Sequence, residues 1–192
     1  LLAPDHRRYW QLIAAELQRY GANTLASLVR LGQGVTYREI LVDVCDKLDV
    51  NYNQKSTTET IELALLMKVL EKSLDQMSPE ELAAFSHNMH LDLTNPTPQL
   101  ILIAVQAAIR TSSLAALELA TMLSASVITS LGGIATWGTV VVASRALSVL
   151  AGPLAIALSS AWMISDITGP AYRVTIPACI IVSWLRQQHL SR

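Results

Sequence analysis

The chain has 192 residues, 52% apolar and 15% charged, with a net charge of −1. Soluble domains carry about 25% charged residues, and a pI near 6.5 excludes the basic footprint of a nucleic-acid binder. The deficit is one-sided: residues 1–99 hold 9 Lys/Arg and 13 Asp/Glu, and the rest only Arg110, Arg145, Arg173, Arg186, Arg192, Glu118 and Asp166.

Leu1-Leu2-Ala3-Pro4 opens the chain without an initiator Met and without a basic-then-apolar leader, so a fragment of a longer protein is expected. Trp10, Ile13, Leu17 and Tyr20 recur at helical spacing and predict a first helix ending at Gly21. Asn23 or Thr24 caps a second, with Leu25, Leu28 and Val29 on one face. Gly32 and Gly34 then break the chain. Thr36 through Glu39 has the capping-box pattern, ahead of Ile40, Leu41, Val44 and Leu48. Ser56-Thr57-Thr58-Glu59 repeats the signal before Ile61, Leu65, Leu66, Val69 and Leu70. Ser78-Pro79-Glu80-Glu81 does so again, with Pro where its missing N–H costs least, ahead of Leu82, Phe85 and Met89.

Thr94-Asn95-Pro96-Thr97-Pro98 is expected not to be helix, because each proline restricts the residue before it. It divides an amphipathic subdomain, 1–95, from an apolar Gly/Ala-rich one, 96–192, the two expected to form one compact unit. Helical segments follow over Leu100–Ile109 and from about Leu114, punctuated by Gly132-Gly133 and Gly152-Pro153. Neither Leu119–Ser144 nor Ala146–Ser165 contains a charge. Each is long enough to span a bilayer core, which takes about 20 apolar residues in a helix. Ala171–Gln188 closes the chain, its helix kinked at Pro177 or starting there. No strand pattern survives. The expectation is an all-α bundle of about eight to ten helices with an apolar C-terminal hairpin within 114–165.

Catalytic signals are absent: there is no nucleophile elbow, P-loop, dinucleotide fingerprint or zinc-protease motif. No enzyme activity and no cofactor are expected. His87 and His90, three apart near Asp92, would need a third metal ligand that the sequence does not supply, so no metal is expected. Asp43, Asp46 and Asp49 read as a solvated acidic helix face, and Glu59 and Glu62 as helix-start residues. Cys45 and Cys179 read as small buried hydrophobes, a disulfide between them staying open.

The more specific signals lie in the second half. Thr121, Ala125, Thr129 and Gly133 form a small-residue stripe at spacing four, and Ala151, Ala155 and Ser159 a second. Such stripes let helices approach closely in lipid, and they also occur in soluble cores. Trp137, next to Gly138, together with Trp162 and Trp184, suits a membrane interface or a core. Arg145 and Asp166, with Glu118, are expected to pair or to mark an exposed turn, since an ionised group in an apolar layer needs a partner.

His6-Arg7-Arg8-Tyr9-Trp10-Gln11-Leu12-Ile13, Tyr37–Val44 and Ala171-Tyr172-Arg173-Val174-Thr175-Ile176-Pro177-Ala178 are similar to segments of the YaaW family of uncharacterised bacterial proteins. The likeness spans nearly the whole chain, with residues 53–165 resembling the family only in helical, apolar character. Family members carry a further N-terminal segment. The resemblance implies no activity and no site residues. It implies a loose grouping with ubiquinol–cytochrome c chaperones, helical factors that assist a membrane protein's assembly.

Two functions compete. The first is a membrane-inserting or pore-forming domain that hides an apolar hairpin in a shell of amphipathic helices, the arrangement of colicin pore domains. The second is a chaperone or interaction module shielding an apolar membrane-protein client. A resident membrane protein and a soluble bundle with no membrane role complete the set. The expected partner is a lipid bilayer or an apolar client, with no nucleic acid and with homo-oligomerisation left open. The expected location is bacterial, cytoplasmic or membrane-associated.

Overall fold

Four hydroxyl side chains decide where the middle helices begin. The computed structural model describes residues 9–21, 35–91, 93–130, 153 and 172–191. Within them Thr36, Thr57, Ser78 and Thr97 each adopt extended backbone and accept the N–H three residues on. They open α2 (Tyr37–Lys47), α3 (Thr58–Leu74), α4 (Pro79–Asn88) and α5 (Pro98–Thr111). Around these lie α1 (Trp10–Gly21), α6 (Ser113–Ser130) and α7 (Tyr172–Leu190). The described residues are all-helical, without strands, and contain these seven helices. The expected helix over Leu25–Val29 and most of the expected hairpin lie outside them.

The capping boxes form as the sequence dictates. Thr36 and Ser78 donate their backbone N–H to Glu39 Oε2 (2.7 Å) and Glu81 Oε2 (2.8 Å) while their hydroxyls accept in return. Each reciprocal pair satisfies two groups that a helix start leaves open. At α3 the cap is Thr57, whose Oγ1 accepts from Thr60 N, so the expected Ser56–Glu59 box does not form. The loop before it is fixed instead by Arg38, which donates to Gln54 O (2.7 Å), Ser56 O (2.8 Å) and Thr58 Oγ1 (3.2 Å).

Three other sequence expectations change. Helix α2 ends at Lys47 and Asp49 sits beyond it at φ 56°, so Asp43, Asp46 and Asp49 do not share a helical face. Helix α4 ends at Asn88 and His90 turns to φ 53°, which removes it from the face carrying His87. Of the two expectations for Pro177, a helix start there is excluded, since it lies buried as the sixth residue of α7. Having no N–H, it leaves the carbonyl four residues earlier without its helical partner.

One apolar core joins both halves of the chain. It draws Ile40, Leu41 and Val44 from α2, Ile61, Leu65, Leu66 and Leu70 from α3, Phe85 from α4, Ile101 and Val105 from α5, Leu119 and Leu123 from α6, and Ile176 and Ile180 from α7. Helix α7 packs against α1, α2, α3 and α6. The stripe of α1 behaves differently: Leu17 reaches the core, whereas Trp10 is 62% and Ile13 50% exposed.

Candidate functional site

A glutamate sits at the bottom of the core. Glu62 lies on α3 between Ile61 and Leu65 and is fully buried. Its Oε1 accepts from the Tyr37 hydroxyl (2.8 Å), and its Oε2 from Arg186 Nε (2.7 Å), 124 residues away on α7. This overturns the reading of Glu62 as a helix-start residue. It stands one turn inside α3, on the inward face, where an ionised carboxylate is tolerated only with donors on its oxygens. No cap or catalytic motif marks it. The available signal was a carboxylate in register with the Ile61, Leu65 and Leu66 apolar face.

The surrounding groups are held protonated. Burial, then the ionisable Cys179 and Glu62 beside it, pushes the Tyr37 hydroxyl far above its ordinary value, so it remains a donor. Burial, with Asp46 adding to it, pushes the Cys45 thiol up to about 12. Burial and the neighbouring Cys45 and Glu62 raise Cys179 as well. Both cysteines are buried free thiols, and as thiols rather than thiolates they are weak nucleophiles. The cluster thus ties α2, α3 and α7 together. Among the described residues no group of three His, Cys, Asp or Glu side chains could hold a metal ion.

The seam between α6 and α7 is polar at intervals. Thr121 Oγ1 donates to Leu117 O (2.7 Å) and accepts from Trp184 Nε1 (3.0 Å), and Ser124 Oγ donates to Ile180 O (3.2 Å). The pairings 121–184 and 124–180 run in opposite directions along the chain, so the two helices are antiparallel. Ala125 is buried one turn on from Thr121. Of the other expected packing residues, Thr129 lies in α6 with its side chain outside the described residues. Gly133, Trp137, Gly138, Ala151, Ala155, Ser159 and Trp162 lie outside them, as do Arg145 and Asp166. Glu118 is exposed and Trp184 buried.

Grooves open on the surface of the described residues. Between α1 and α7 an apolar groove of about 490 Å³ is lined by Leu12, Ile13, Leu17, Tyr20, Val174, Ala178, Ile181, Val182 and Leu185, with Glu16 at its edge. Between α3 and α5 one of about 700 Å³ has an apolar floor that includes Leu63, Met67 and Ile103, and a rim that includes Asp49, Lys68, Glu71 and Arg110.

Compared with known proteins, the chain is 43% identical over 185 residues to a UPF0174 protein of Helicobacter pylori strain J99, covering 95% of this chain and 72% of that one. It is 36% identical over 190 residues to a second UPF0174 protein of that strain, covering 96% and 90%. It is 31% identical over 183 residues to the UPF0174 protein YaaW of Escherichia coli K12, covering 95% and 73%. No family model and no solved structure matches.

Proposed function

The chain belongs to the UPF0174 (YaaW) family, and on that premise we propose that it is a membrane-inserting helical domain of the pore-forming kind. It keeps an apolar helix inside a shell of amphipathic helices and releases it at a bilayer. In this reading α6 is the first arm of an apolar hairpin within 114–165, which brings the bundle to eight to ten helices.

The supporting observation is the enclosure of α6. Six successive residues, Met122 to Val127, are each no more than 5% exposed. At 3.6 residues per turn, six in a row cover every side of a helix. A helix apolar all round belongs in a large core or a membrane, and α6 has Glu118 as its single charge. Small and hydroxyl-bearing residues let α7 close over it. No helix among the described residues is long and apolar enough to cross a membrane. A crossing therefore draws on the uncharged sequence beyond Ser130.

The test is release of a self-quenching dye from phospholipid vesicles. We expect release that strengthens on acidification. The front half holds 13 of the chain's 15 Asp and Glu residues, so acidification, which protonates carboxylates, weakens the shell's ion pairs and helix-start contacts first. A folded sample that releases no dye between about pH 4 and 7.5 refutes the proposal.

The α1–α7 groove favours a second reading, a module that holds an apolar client helix. Its α7 wall presents Val174, Ala178, Ile181 and Leu185 at spacings of three and four, which suits a docked helix. Suppressed aggregation of an apolar transmembrane peptide, without dye release, selects this reading.

A further inference from the structure

We infer that the part of α7 beyond Pro177 is a latch, fastened by Arg186 on Glu62, whose opening uncovers α6. The contacts that would fasten it are visible in the structure, and its role in insertion rests on the membrane reading above.

Three links from α7 to the bundle fall within one stretch: Ile180 O to Ser124, Trp184 Nε1 to Thr121, and Arg186 Nε to Glu62. All lie C-terminal to Pro177, the point where the helix lacks a backbone hydrogen bond and bends most easily. Two links end on α6 itself. The third ends on a different helix and involves full charges.

That third link is a poor device for stability alone. Glu62 is fully buried and Arg186 has a 38% exposed side chain. A buried ion pair generally stabilises no better than packed apolar residues, and its best-attested use is to fix register or to act as a switch. Intact, it holds α7 at one position. Broken, it leaves Glu62 with the Tyr37 hydroxyl as its one donor among the described residues, so the closed arrangement loses much of its advantage at one step.

Closure also carries a cost. Gln187, one residue past Arg186, is 4% exposed, and among the described residues its Nε2 has no hydrogen-bond partner. A buried unpartnered donor opposes the closed state, and opening would hydrate it. Helix α7 therefore has strong fasteners on Ile180–Arg186 and a built-in bias to open just beyond them.

The test is hydrogen exchange on Arg186→Met, on the double variant Glu62→Gln/Arg186→Met, and on the unaltered chain, each with and without phosphatidylethanolamine/phosphatidylglycerol vesicles. In Arg186→Met, α7 amides beyond Pro177 should exchange about tenfold faster while α2–α4 amides stay within about twofold. The double variant leaves no uncompensated charge and should return α7 most of the way to its original rate. Unchanged α7 exchange overturns the latch, and so does an equal rise over every helix, which would make the pair a general staple. If α7 opens but no variant binds vesicles, the latch stands and the membrane reading fails. If the unaltered chain binds and α7 does not respond to Arg186→Met, the reverse holds. Should Arg186→Met not fold, Arg186→Lys, which keeps the charge but loses the planar fork, should give the same α7-selective rise in smaller measure.

Discussion

Helices α2–α5 and the pair α6–α7 are built by different means. The first block is specified locally: a hydroxyl cap at each start, Pro at the first position of α4 and α5, and apolar residues every third or fourth place. The second block is specified at a distance. Its position depends on contacts between residues 56 to 124 apart in sequence, among them Ser124–Ile180 and Glu62–Arg186. The second block is thus held by contacts distant in sequence, apolar as well as polar, and the first by signals within its own segments.

Five further experiments would break or sharpen that contrast. Phe85 is fully buried in α4, and Phe85→Ala should cost about 3–5 kcal/mol through the cavity it leaves. Chemical denaturation should then show all helices lost together, since the core they share is breached. A transition in which only α4 melts would contradict the shared core.

Next comes alkaline pH. Cys45 is raised from 9.0 to about 12, and Tyr37 and Cys179 are also raised, all chiefly by burial. A raised folded-state pKa means that the unfolded chain loses its proton first as pH rises. The stability these groups contribute is complete below about pH 9 and declines through pH 12. Stability that rises over that window would show the buried cluster to be open to water.

The smaller effects separate the two blocks directly. Ser78→Ala removes one capping box and should cost about 1 kcal/mol, loosening α4. Thr121→Val removes the acceptor for Trp184 Nε1 and should also cost about 1 kcal/mol, but loosening α6 and α7 instead. Smallest of all, Lys68→Ala breaks a partly exposed pair with Glu71 (2.7 Å) and should change stability by about 0.5 kcal/mol or less. Amide exchange resolves where each loss falls.

The same division explains what was legible in the sequence. The bounds of α1 and the starts of α2 and α4 followed from caps and periodicity, whereas α5 begins at Pro98, two residues before the expected Leu100, because Thr97 caps it and proline suits a first helical position. The all-α class followed with them. The interruption before α5 was plain in Thr94–Thr97. What escaped was Glu62. Its partner lies 124 residues away and its own turn of helix contains no trace of it. The exposure of Trp10 and Ile13 escaped as well, because periodicity shows that a stripe exists without saying what covers it. Asp49 and His90 were misplaced for a local reason: each turns to positive φ just past a helix end, where a three-residue spacing no longer means a shared face.

The enclosure and release of α6 can be tested most directly at Ala125, which is buried in the middle of that helix. In Ala125→Cys the new thiol should resist both a water-soluble and a lipid-anchored maleimide in buffer, with buried Cys45 and Cys179 as internal controls. On adding vesicles, the lipid-anchored reagent alone should modify residue 125. Modification by neither reagent, with the chain bound to the vesicles, would mean that α6 stays where the structure places it and never enters the bilayer.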